Sequence, residues 1–244
     1  MNFEFYQFTT AGDRDSNQDC MANLICAEFA LLVVADGLGG HQAGEKASRY
    51  FCQGLLQLAG SYAGKMQEKP ETTIADWVDG AIEEMKRSFS GDPDASQAHT
   101  TCAILFVRDD FLVTVHCGDT RIYRMNPREI CWRTRDHSVP QRLLDQGEIN
   151  EQQMGTHPEQ NQLTQSISIM KTHRPEIHVY PPPQQGETFL LCSDGFWEHT
   201  KQHEFLRLAS PSVTKNIISK QIKLSYLRAG GHSDNITLQW LRAL

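Results

Sequence analysis

The stretch Phe29-Ala-Leu-Leu-Val-Val-Ala-Asp36-Gly37 joins a continuous apolar run to a single carboxylate. A run of this kind is typical of a strand that is buried on both faces. A carboxylate at the end of a buried strand is costly unless a cation meets it. Three further aspartates abut strand-like runs in the same way, namely Asp119, Asp194 and Asp234. Four such strand ends, spread along most of the chain, indicate strands that converge on one divalent-metal site.

The bulk composition excludes several classes of protein. The chain has 244 residues, of which 39% are hydrophobic, and this is enough apolar material for a proper core. The formal net charge of −7, with no basic stripe, argues against a nucleic-acid partner. No apolar stretch reaches about 18 residues, and the N-terminus shows no signal-peptide pattern. We therefore expect a cytoplasmic monomer that binds neither nucleic acid nor membrane.

The seven cysteines form no C-x-x-C pair, which argues against a zinc or redox motif. Cys102, Cys117 and Cys192 lie within strand-like runs, where a cysteine usually serves as a small buried hydrophobe. We expect structural thiols in a reducing compartment.

The apolar periodicity predicts strands, two helices, more strands, two shorter helices and a closing strand. This order predicts an α+β fold of two packed sheets with helices outside, in one domain over residues 1–244. The spacer between the first two helices, residues 60–71, contains Gly64 and Pro70 as helix breakers. The predicted strands cover parts of residues 3–35, 100–131, 176–180, 188–192 and 235–240, and the helices cover 47–58, 74–89, 203–209 and about 212–227.

Residues 139–162 depart from this periodicity. They are polar, rich in glutamine and only weakly periodic. We predict a flap-like excursion on the surface.

Each aspartate also has a plainer explanation, because an aspartate beside glycine is most often a turn residue. The joint pattern favours a metal site instead. No lysine or arginine lies within three residues of Asp36, Asp194 or Asp234 to pair with them locally. Oxygen-only ligands scattered in this way suit hard cations such as Mg²⁺ or Mn²⁺. The glycine run after Asp36 can bring backbone close to a metal, so that the Gly37 carbonyl is itself a candidate ligand.

Two other site patterns fit less well. His199 and His203 are four residues apart, but no third ligand lies nearby in the sequence, so surface histidines are the simpler account. Gly39 and Gly44 have the spacing of a phosphate-binding loop, but Glu45 and Lys46 follow where that loop needs Lys and Ser or Thr.

Seven short motifs occur in an order that identifies a family. Together they resemble the metal-dependent Ser/Thr protein phosphatases of the 2C type, in their compact bacterial form, over about residues 8–240. The motifs are Gly12-Asp-Arg14-Asp-Ser-Asn17-Gln18-Asp19, Val34-Ala-Asp36-Gly37-Leu-Gly-Gly-His41, Thr100-Thr101, Gly118-Asp119-Thr-Arg121-Ile-Tyr123, Thr134-Arg-Asp136-His137-Ser138, Leu191-Cys-Ser-Asp194-Gly195 and Gly231-His-Ser-Asp234-Asn235.

The resemblance implies a four-layer αββα sandwich, in which two antiparallel sheets are flanked by pairs of helices. It also implies a binuclear Mn²⁺ or Mg²⁺ centre with room for a third ion. In this reading Asp36 bridges the two metals, and Gly37 offers its carbonyl to the second. Asp194 and Asp234 complete the first metal's ligands, and Asp19 acts near the second metal through water. The third, weaker ion would be held by Asp119 together with Asp194.

The implied reaction is attack of a metal-activated water on phosphorus, with Arg14 and Asp36 as catalytic residues. Arg14 would grip the substrate phosphate, a task that guanidinium geometry suits. Some family members have a histidine directly after the Asp-Gly pair as the acid for the leaving group. Leu38 stands there in this chain, so the acid is unassigned.

Several neighbouring residues call for their own interpretation. Gln18 replaces a carboxylate that many relatives have, which removes one negative charge near the second metal. His99 stands where glycine is common, and His41 is expected to support the glycine loop. Asp136 is predicted to cap the helix that follows it, and Arg121 is predicted to pair with an acidic neighbour.

The resemblance implies hydrolysis of phosphoserine or phosphothreonine on protein substrates, in opposition to a separate bacterial Ser/Thr kinase. Two alternatives remain beside it. One is a catalytically weak regulator that binds phosphoproteins, and the intact aspartate set argues against this. The other is a phosphatase of small phosphate esters, which the metal core does not exclude. The polar excursion at 139–162 favours a protein substrate.

Overall fold

The chain forms two antiparallel sheets that pack face to face. The computed structural model describes residues 2–38, 41–171 and 175–244, without the side chains of residues 41 and 42. The predicted role of His41, and the glycine at position 39, therefore lie outside the described residues. The strands are β1 (Phe3–Thr10), β2 (Asp19–Ile25), β3 (Ala30–Leu38), β4 (His99–Thr100), β5 (Cys102–Val107), β6 (Leu112–Cys117), β7 (Arg121–Met125), β8 (Ile130–Arg133), β9 (Ile167–Ser168), β10 (Glu176–Tyr180), β11 (Thr188–Cys192) and β12 (Ile236–Ala243).

One sheet has the strand order β1-β12-β11-β7-β8, and the other has the order β10-β6-β5-β3-β4-β9 with β2 beside β3. Helices cover the outer face of each sheet. The helices are α1 (His41–Tyr62), α2 (Pro70–Ser88), α3 (Val139–Asp145), α4 (Glu151–Met154), α5 (Asp194–Trp197), α6 (Gln202–Leu208) and α7 (Lys215–Arg228).

The central strand β3 is buried on both faces, as its uninterrupted apolar run predicts. Leu31 and Val33 belong to the core that packs under α1 and α2. Leu32 and Val34 belong to the core between the two sheets. A third core lies between the other sheet and the helices α5 to α7. The predicted α+β fold with four layers, helix, sheet, sheet and helix, is confirmed.

The spacer between the first two helices is shorter than the sequence predicts. Helix α1 continues through Gly60 to Tyr62, a 3₁₀ turn covers Ala63–Gln67, and α2 begins at Pro70. Proline fits the first turn of a helix, because the N–H that it lacks has no partner there. Pro70 was predicted to interrupt a helix, and this prediction was wrong, because Pro70 is the first residue of α2.

The excursion at 139–162 contains the two short helices α3 and α4. Its ends are tied together, since the Val139 N–H donates to the Gln162 carbonyl at 2.9 Å and Ser138 pairs with Leu163. The side chain of Met154 is buried and anchors α4. Movement of this segment as a flap stays a prediction.

Candidate metal centre

The two neighbouring strands β2 and β3 place two carboxylates side by side. Asp19 is the antiparallel partner of Asp36 in the strand register. The backbone of Asp36 is held by Thr101, whose N–H donates to the Asp36 carbonyl at 2.8 Å and whose Oγ1 accepts from the Asp36 N–H at 2.9 Å. Thr101 lies between β4 and β5, so it continues the pairing across the break between these strands. Because β3 is fixed on both sides at this point, the position of Asp36 is fixed as well.

The next residue, Gly37, is pressed against the first turn of α1. A Cβ atom at Gly37 would lie 2.0 Å from the carbonyl oxygen of Gly44, and a Cβ atom at Gly44 would lie 2.8 Å from the carbonyl oxygen of Gly37. Neither position can therefore carry a side chain without a shift of backbone. This close approach explains why Gly37 and Gly44 are glycines, and it brings α1 up to the end of β3.

Asp194 and Asp234 meet where α5 lies against the start of β12. A Cβ atom at Gly195 would lie 2.3 Å from the Asn235 carbonyl oxygen, so glycine is needed for this contact. Each aspartate accepts the backbone N–H of the residue after it, Asp194 from Gly195 at 2.6 Å and Asp234 from Asn235 at 2.8 Å. These hydrogen bonds orient one oxygen of each carboxylate.

The N-terminal loop is attached to this site by the side chain of Asn235. Its amide nitrogen donates to the carbonyl oxygens of Ala11 and Ser16, both at 2.9 Å, and its amide oxygen accepts from the Gln18 N–H at 2.8 Å. The loop so held carries Arg14, whose Nη2 lies 2.7 Å from Oδ2 of Asp234. Asn235 belongs to one of the seven sequence motifs, but the family resemblance did not imply a role for it.

Asp119 lies in the turn between β6 and β7. Its carbonyl oxygen accepts a hydrogen bond from the Trp197 indole N–H at 2.9 Å. The guanidinium of Arg121 stacks on the Trp197 ring, and the distance from Arg121 Cζ to the ring centroid is 3.5 Å. Asp119 is thus positioned by contacts to the helix that begins at Asp194.

A cleft of about 180 Å³ brings most of the predicted site residues together. Asp19 is not among the lining residues. It lies buried next to Asp36, where Ser193 Oγ donates to its Oδ2 at 2.7 Å. The lining residues are Arg14, Gln18, Asp36, Gly37, Leu38, Asp119, Asn161, Leu163, Asp194, Asp234 and Asn235.

Four carboxylates of this cluster, those of Asp19, Asp36, Asp119 and Asp194, have raised pKa values. Burial is the largest cause for each, and the neighbouring aspartates add to it. The pKa of Asp19 is raised to about 6 and that of Asp119 to about 7. For Asp36 and Asp194 the pKa is raised well above its usual value. Within the described parts of the chain, the one ion pair to any of these aspartates is that between Arg14 and Asp234.

This donor set fits divalent hard cations. All of the side-chain donors are carboxylate oxygens, which Mg²⁺ and Mn²⁺ prefer. Oδ1 of Asp19 is buried and has no hydrogen-bond partner, although buried polar atoms nearly always have one. A cation beside the cluster would compensate the excess negative charge that raises these pKa values.

The structure adds one acidic residue that the sequence reading missed. Glu198 follows the last turn of α5, and burial together with the charges of Asp119 and Asp234 raises its pKa to about 8. Its backbone N–H donates to the Asp194 carbonyl at 3.0 Å. The spacing of four residues from Asp194 places both side chains on one helical face, and this spacing was the available signal.

The prediction that Asp136 caps the following helix was wrong. Ser138 caps α3, with its side chain accepting from the Gln141 N–H. Asp136 instead accepts two hydrogen bonds from Arg121, at 2.8 Å from Nε and 2.6 Å from Nη2. The predicted pairing of Arg121 with an acidic neighbour is confirmed by the same contacts. Leaving the buried Arg121 guanidinium without a carboxylate partner would cost more free energy than replacing one helix cap with another.

Comparisons with known proteins agree with this geometry. The sequence profile of a family described as Protein phosphatase 2C matches residues 11–223. The chain is 28% identical over 230 residues to the serine/threonine protein phosphatase PstP of Mycobacterium tuberculosis, which covers 92% of this chain and 42% of that protein. It is 27% identical over 215 residues to the serine/threonine phosphatase stp of Listeria monocytogenes, with 85% and 82% covered. The chain thus spans less than half the length of PstP and most of the length of stp.

A solved structure extends the similarity to a metal-bound relative. It is the catalytic domain of the serine threonine protein phosphatase PstP in complex with two manganese ions. The two structures superpose with a TM-score of 0.78 at 26% identity, over 98% of this chain and 97% of the other. Within the described ranges of this chain, none of the helices is long and apolar enough to cross a membrane.

Proposed function

Since this chain belongs to the protein phosphatase 2C family, we propose that it hydrolyses phosphoserine and phosphothreonine in protein substrates. Two Mn²⁺ or Mg²⁺ ions held by the carboxylate cluster would supply the activated water for this reaction. The observation that carries this proposal is the cluster of buried carboxylates whose pKa values are raised, in a cleft with a half-exposed arginine beside it. Such a cluster is expensive to maintain unless cations bind it.

Five residues are assigned to the two cations. Asp36 would contribute to holding both, because it lies at the centre of the cluster, where burial and the charges of Asp19, Asp119 and Asp234 raise its pKa. Asp194 and Asp234 would hold one of the cations together with Asp36. The Gly37 carbonyl and Asp19, the latter through water, would hold the other cation. When bound, the cations supply positive charge to the phosphoryl oxygens and lower the pKa of water.

Arg14 is assigned to the substrate phosphate. Its side chain is 58% exposed and pairs with Asp234, which is itself 35% exposed. An exposed pair of this kind contributes little stability, so it can exchange at low cost. A phosphate dianion offers two oxygens to the planar guanidinium and replaces the Asp234 carboxylate as its partner. Asp234 is then free to face the cations.

Asp119, with Asp194, is assigned to a third and weaker cation. Glu198 joins this assignment, because its pKa is raised by burial and by the charge of Asp119. Gly155, at the end of α4, packs against the backbone and side chain of Glu198, where a Cβ atom at Gly155 would lie 3.0 Å from the Glu198 Cα. The excursion at 139–162 thus lies next to this side of the centre.

Two residues that border the cleft support the proposed substrate class. Asn161, at the end of the excursion, and Leu163, directly after it, line the cleft together with the aspartates. They provide one polar and one apolar contact for residues around a phosphorylated side chain. We therefore favour a protein substrate, phosphorylated by a separate Ser/Thr kinase, over a small ester.

The test compares two substrates with Mn²⁺ present. A phosphothreonine peptide and p-nitrophenyl phosphate are assayed for kcat/KM with the wild-type chain and with Leu163→Ala. We expect Leu163→Ala to reduce kcat/KM for the peptide and to leave the value for the small ester unchanged. An equal loss of kcat/KM for both substrates would contradict the assignment of a protein substrate. If the wild-type chain hydrolysed neither substrate, the proposed phosphatase activity would be contradicted.

A further inference from the structure

Three side chains outside the carboxylate cluster form a second group of potential metal ligands. His116, His137 and Glu176 each bring one ligand atom within 4.8 Å of the others. His116 lies near the end of β6, and Glu176 is its direct antiparallel partner at the start of β10. His137 lies in the loop before α3. Strand register and loop thus fix the group from three sides.

The histidines of this group are buried without adequate hydrogen bonds. The side chain of His116 is 1% exposed, and neither of its ring nitrogens has a partner. The backbone of Thr120 lies near the ring, but not at hydrogen-bond geometry. Nε2 of His137 is also buried, and it lies 3.3 Å from Oε1 of Glu176 without the alignment of a hydrogen bond. Three orphaned ring nitrogens at one point are unusual, because buried polar atoms nearly always find partners.

The protonation states suit metal binding. Burial, followed by the nearby His137, lowers the pKa of His116 to about 3, so this imidazole is neutral at physiological pH. Neutral imidazole is the form that binds metals. Partial burial opposes ionisation of Glu176, but the contact with His137 holds its pKa below the usual value. The group therefore offers the neutral imidazole of His116, the Nε2 atom of His137 and the carboxylate of Glu176.

We propose that His116, His137 and Glu176 bind one Zn²⁺ ion at a site separate from the carboxylate cluster. Two imidazoles and one carboxylate are a ligand set that Zn²⁺ accepts, with water in the fourth position. Ligand atoms around a tetrahedral zinc lie roughly 3.4 Å apart. The 3.3 Å between His137 Nε2 and Glu176 Oε1 already matches, and the ligand atoms of all three residues lie within 4.8 Å of one another. Glu176 is 47% exposed and provides the entry from solvent.

Two hydrogen bonds join His137 to Gly118, and zinc binding is coupled to the catalytic cleft through the longer one, while the bond from the His137 N–H to the Gly118 carbonyl at 2.7 Å remains. Nδ1 of His137 accepts from the Gly118 N–H at 3.2 Å, which keeps the ring proton on Nε2. A zinc ion on Nε2 forces that proton onto Nδ1, so the hydrogen bond from Gly118 is lost. Gly118 directly precedes Asp119. Zinc at this site therefore loosens the turn that presents Asp119 to the cleft.

The test measures Zn²⁺ bound per chain by equilibrium dialysis, with excess Mg²⁺ present to occupy the carboxylate cluster. We expect one zinc ion per wild-type chain. Glu176→Gln and His116→Ala should each weaken binding by more than the roughly 10–100-fold that loss of a supporting group costs. Glu176→Gln changes a half-exposed side chain and keeps its shape, so it remains informative if His116→Ala fails to fold.

The matched control is His178→Ala. His178 is 55% exposed, and its Nε2 lies 3.7 Å from the other oxygen of Glu176, so these two residues are the obvious surface site for adventitious zinc. We expect His178→Ala to retain the zinc ion. Loss of zinc in His178→Ala, retention in Glu176→Gln or absence of zinc from the wild type would each overturn the proposal.

A second readout follows the Gly118 amide by hydrogen exchange. Zinc should increase its exchange rate in the wild type and leave the rate unchanged in Glu176→Gln. An unchanged rate in zinc-loaded wild type would refute the coupling to the cleft.

Discussion

Removal of Asp136 should destabilise the fold more than any exposed charge substitution. Arg121 and Asp136 form a bidentate pair whose side chains are 3% and 1% exposed. Asp136→Ala leaves the guanidinium buried, where its remaining partners include the Trp197 ring and the half-exposed Glu151. Breaking a buried pair from one side costs about 3–5 kcal/mol. This is a large part of the roughly 5–15 kcal/mol that stabilises a typical domain.

The assay is urea denaturation followed by far-UV circular dichroism, with Glu151→Ala as the matched control. Glu151 contacts the same Arg121 at 3.3 Å and Arg133 at 2.7 Å, but its side chain is 52% exposed. Such pairs contribute about 0–1 kcal/mol. Asp136→Ala should therefore lower the unfolding midpoint by at least about 1 M urea, and Glu151→Ala by much less. Equal effects of the two substitutions would refute the claim that burial decides the energy of this pair.

Three further predictions concern the cleft and the helix behind it. Gly37→Ala should lower the melting temperature and the affinity for Mn²⁺, because its Cβ would lie 2.0 Å from the Gly44 carbonyl oxygen. The control Gly60→Ala lies on α1 with no neighbouring atom within 4 Å of its Cβ, so it should stabilise the fold by roughly 0.5–1 kcal/mol. A Gly37→Ala variant that is stable and binds Mn²⁺ would contradict the close contact between Gly37 and Gly44. Without metal, the free energy of unfolding should fall from pH 7 to pH 8. The raised pKa values of the cluster, about 7 for Asp119 among them, mean that the folded state binds more protons than the unfolded state. Thermal denaturation at both pH values should show that saturating Mg²⁺ removes this fall, and a fall that persists with Mg²⁺ would show that other groups cause it. Arg14→Ala should reduce kcat/KM by roughly 10–100-fold, and Arg14→Lys should reduce it by less, since lysine keeps the positive charge but lacks the planar guanidinium. An equal loss of kcat/KM in the two variants, measured by steady-state assays, would argue against a bidentate contact with the phosphate.

Much of the fold could be predicted from the sequence because both faces of the central strands are buried. The continuous apolar run from Ala30 to Ala35 becomes β3, and the helical stripes become α1 and α2. The two-residue strands β4 and β9 could not be predicted, because two residues carry no periodicity. Helix α5 is also too short to show a stripe, and its start at Asp194 reads equally well as a turn.

The site was predictable where a residue sits at the end of a strand, and less so where a tertiary contact decides its role. Asp36, Asp119, Asp194 and Asp234 line one cleft, as their positions beside apolar runs indicate. Asp136 and Ser138 are both good helix caps, and only the buried Arg121, fifteen residues earlier, determines which of them caps α3.

The central claim, that the carboxylate cluster works by binding cations, is tested most directly by metal-dependent hydrolysis of a phosphothreonine peptide. The wild-type chain is assayed with Mn²⁺ and with EDTA, beside Asp194→Asn and the surface control Asp110→Asn, whose side chain is 51% exposed. We predict activity in wild type and Asp110→Asn with Mn²⁺, none with EDTA, and a loss of several orders of magnitude in Asp194→Asn. Activity that survives both EDTA and Asp194→Asn would contradict this account.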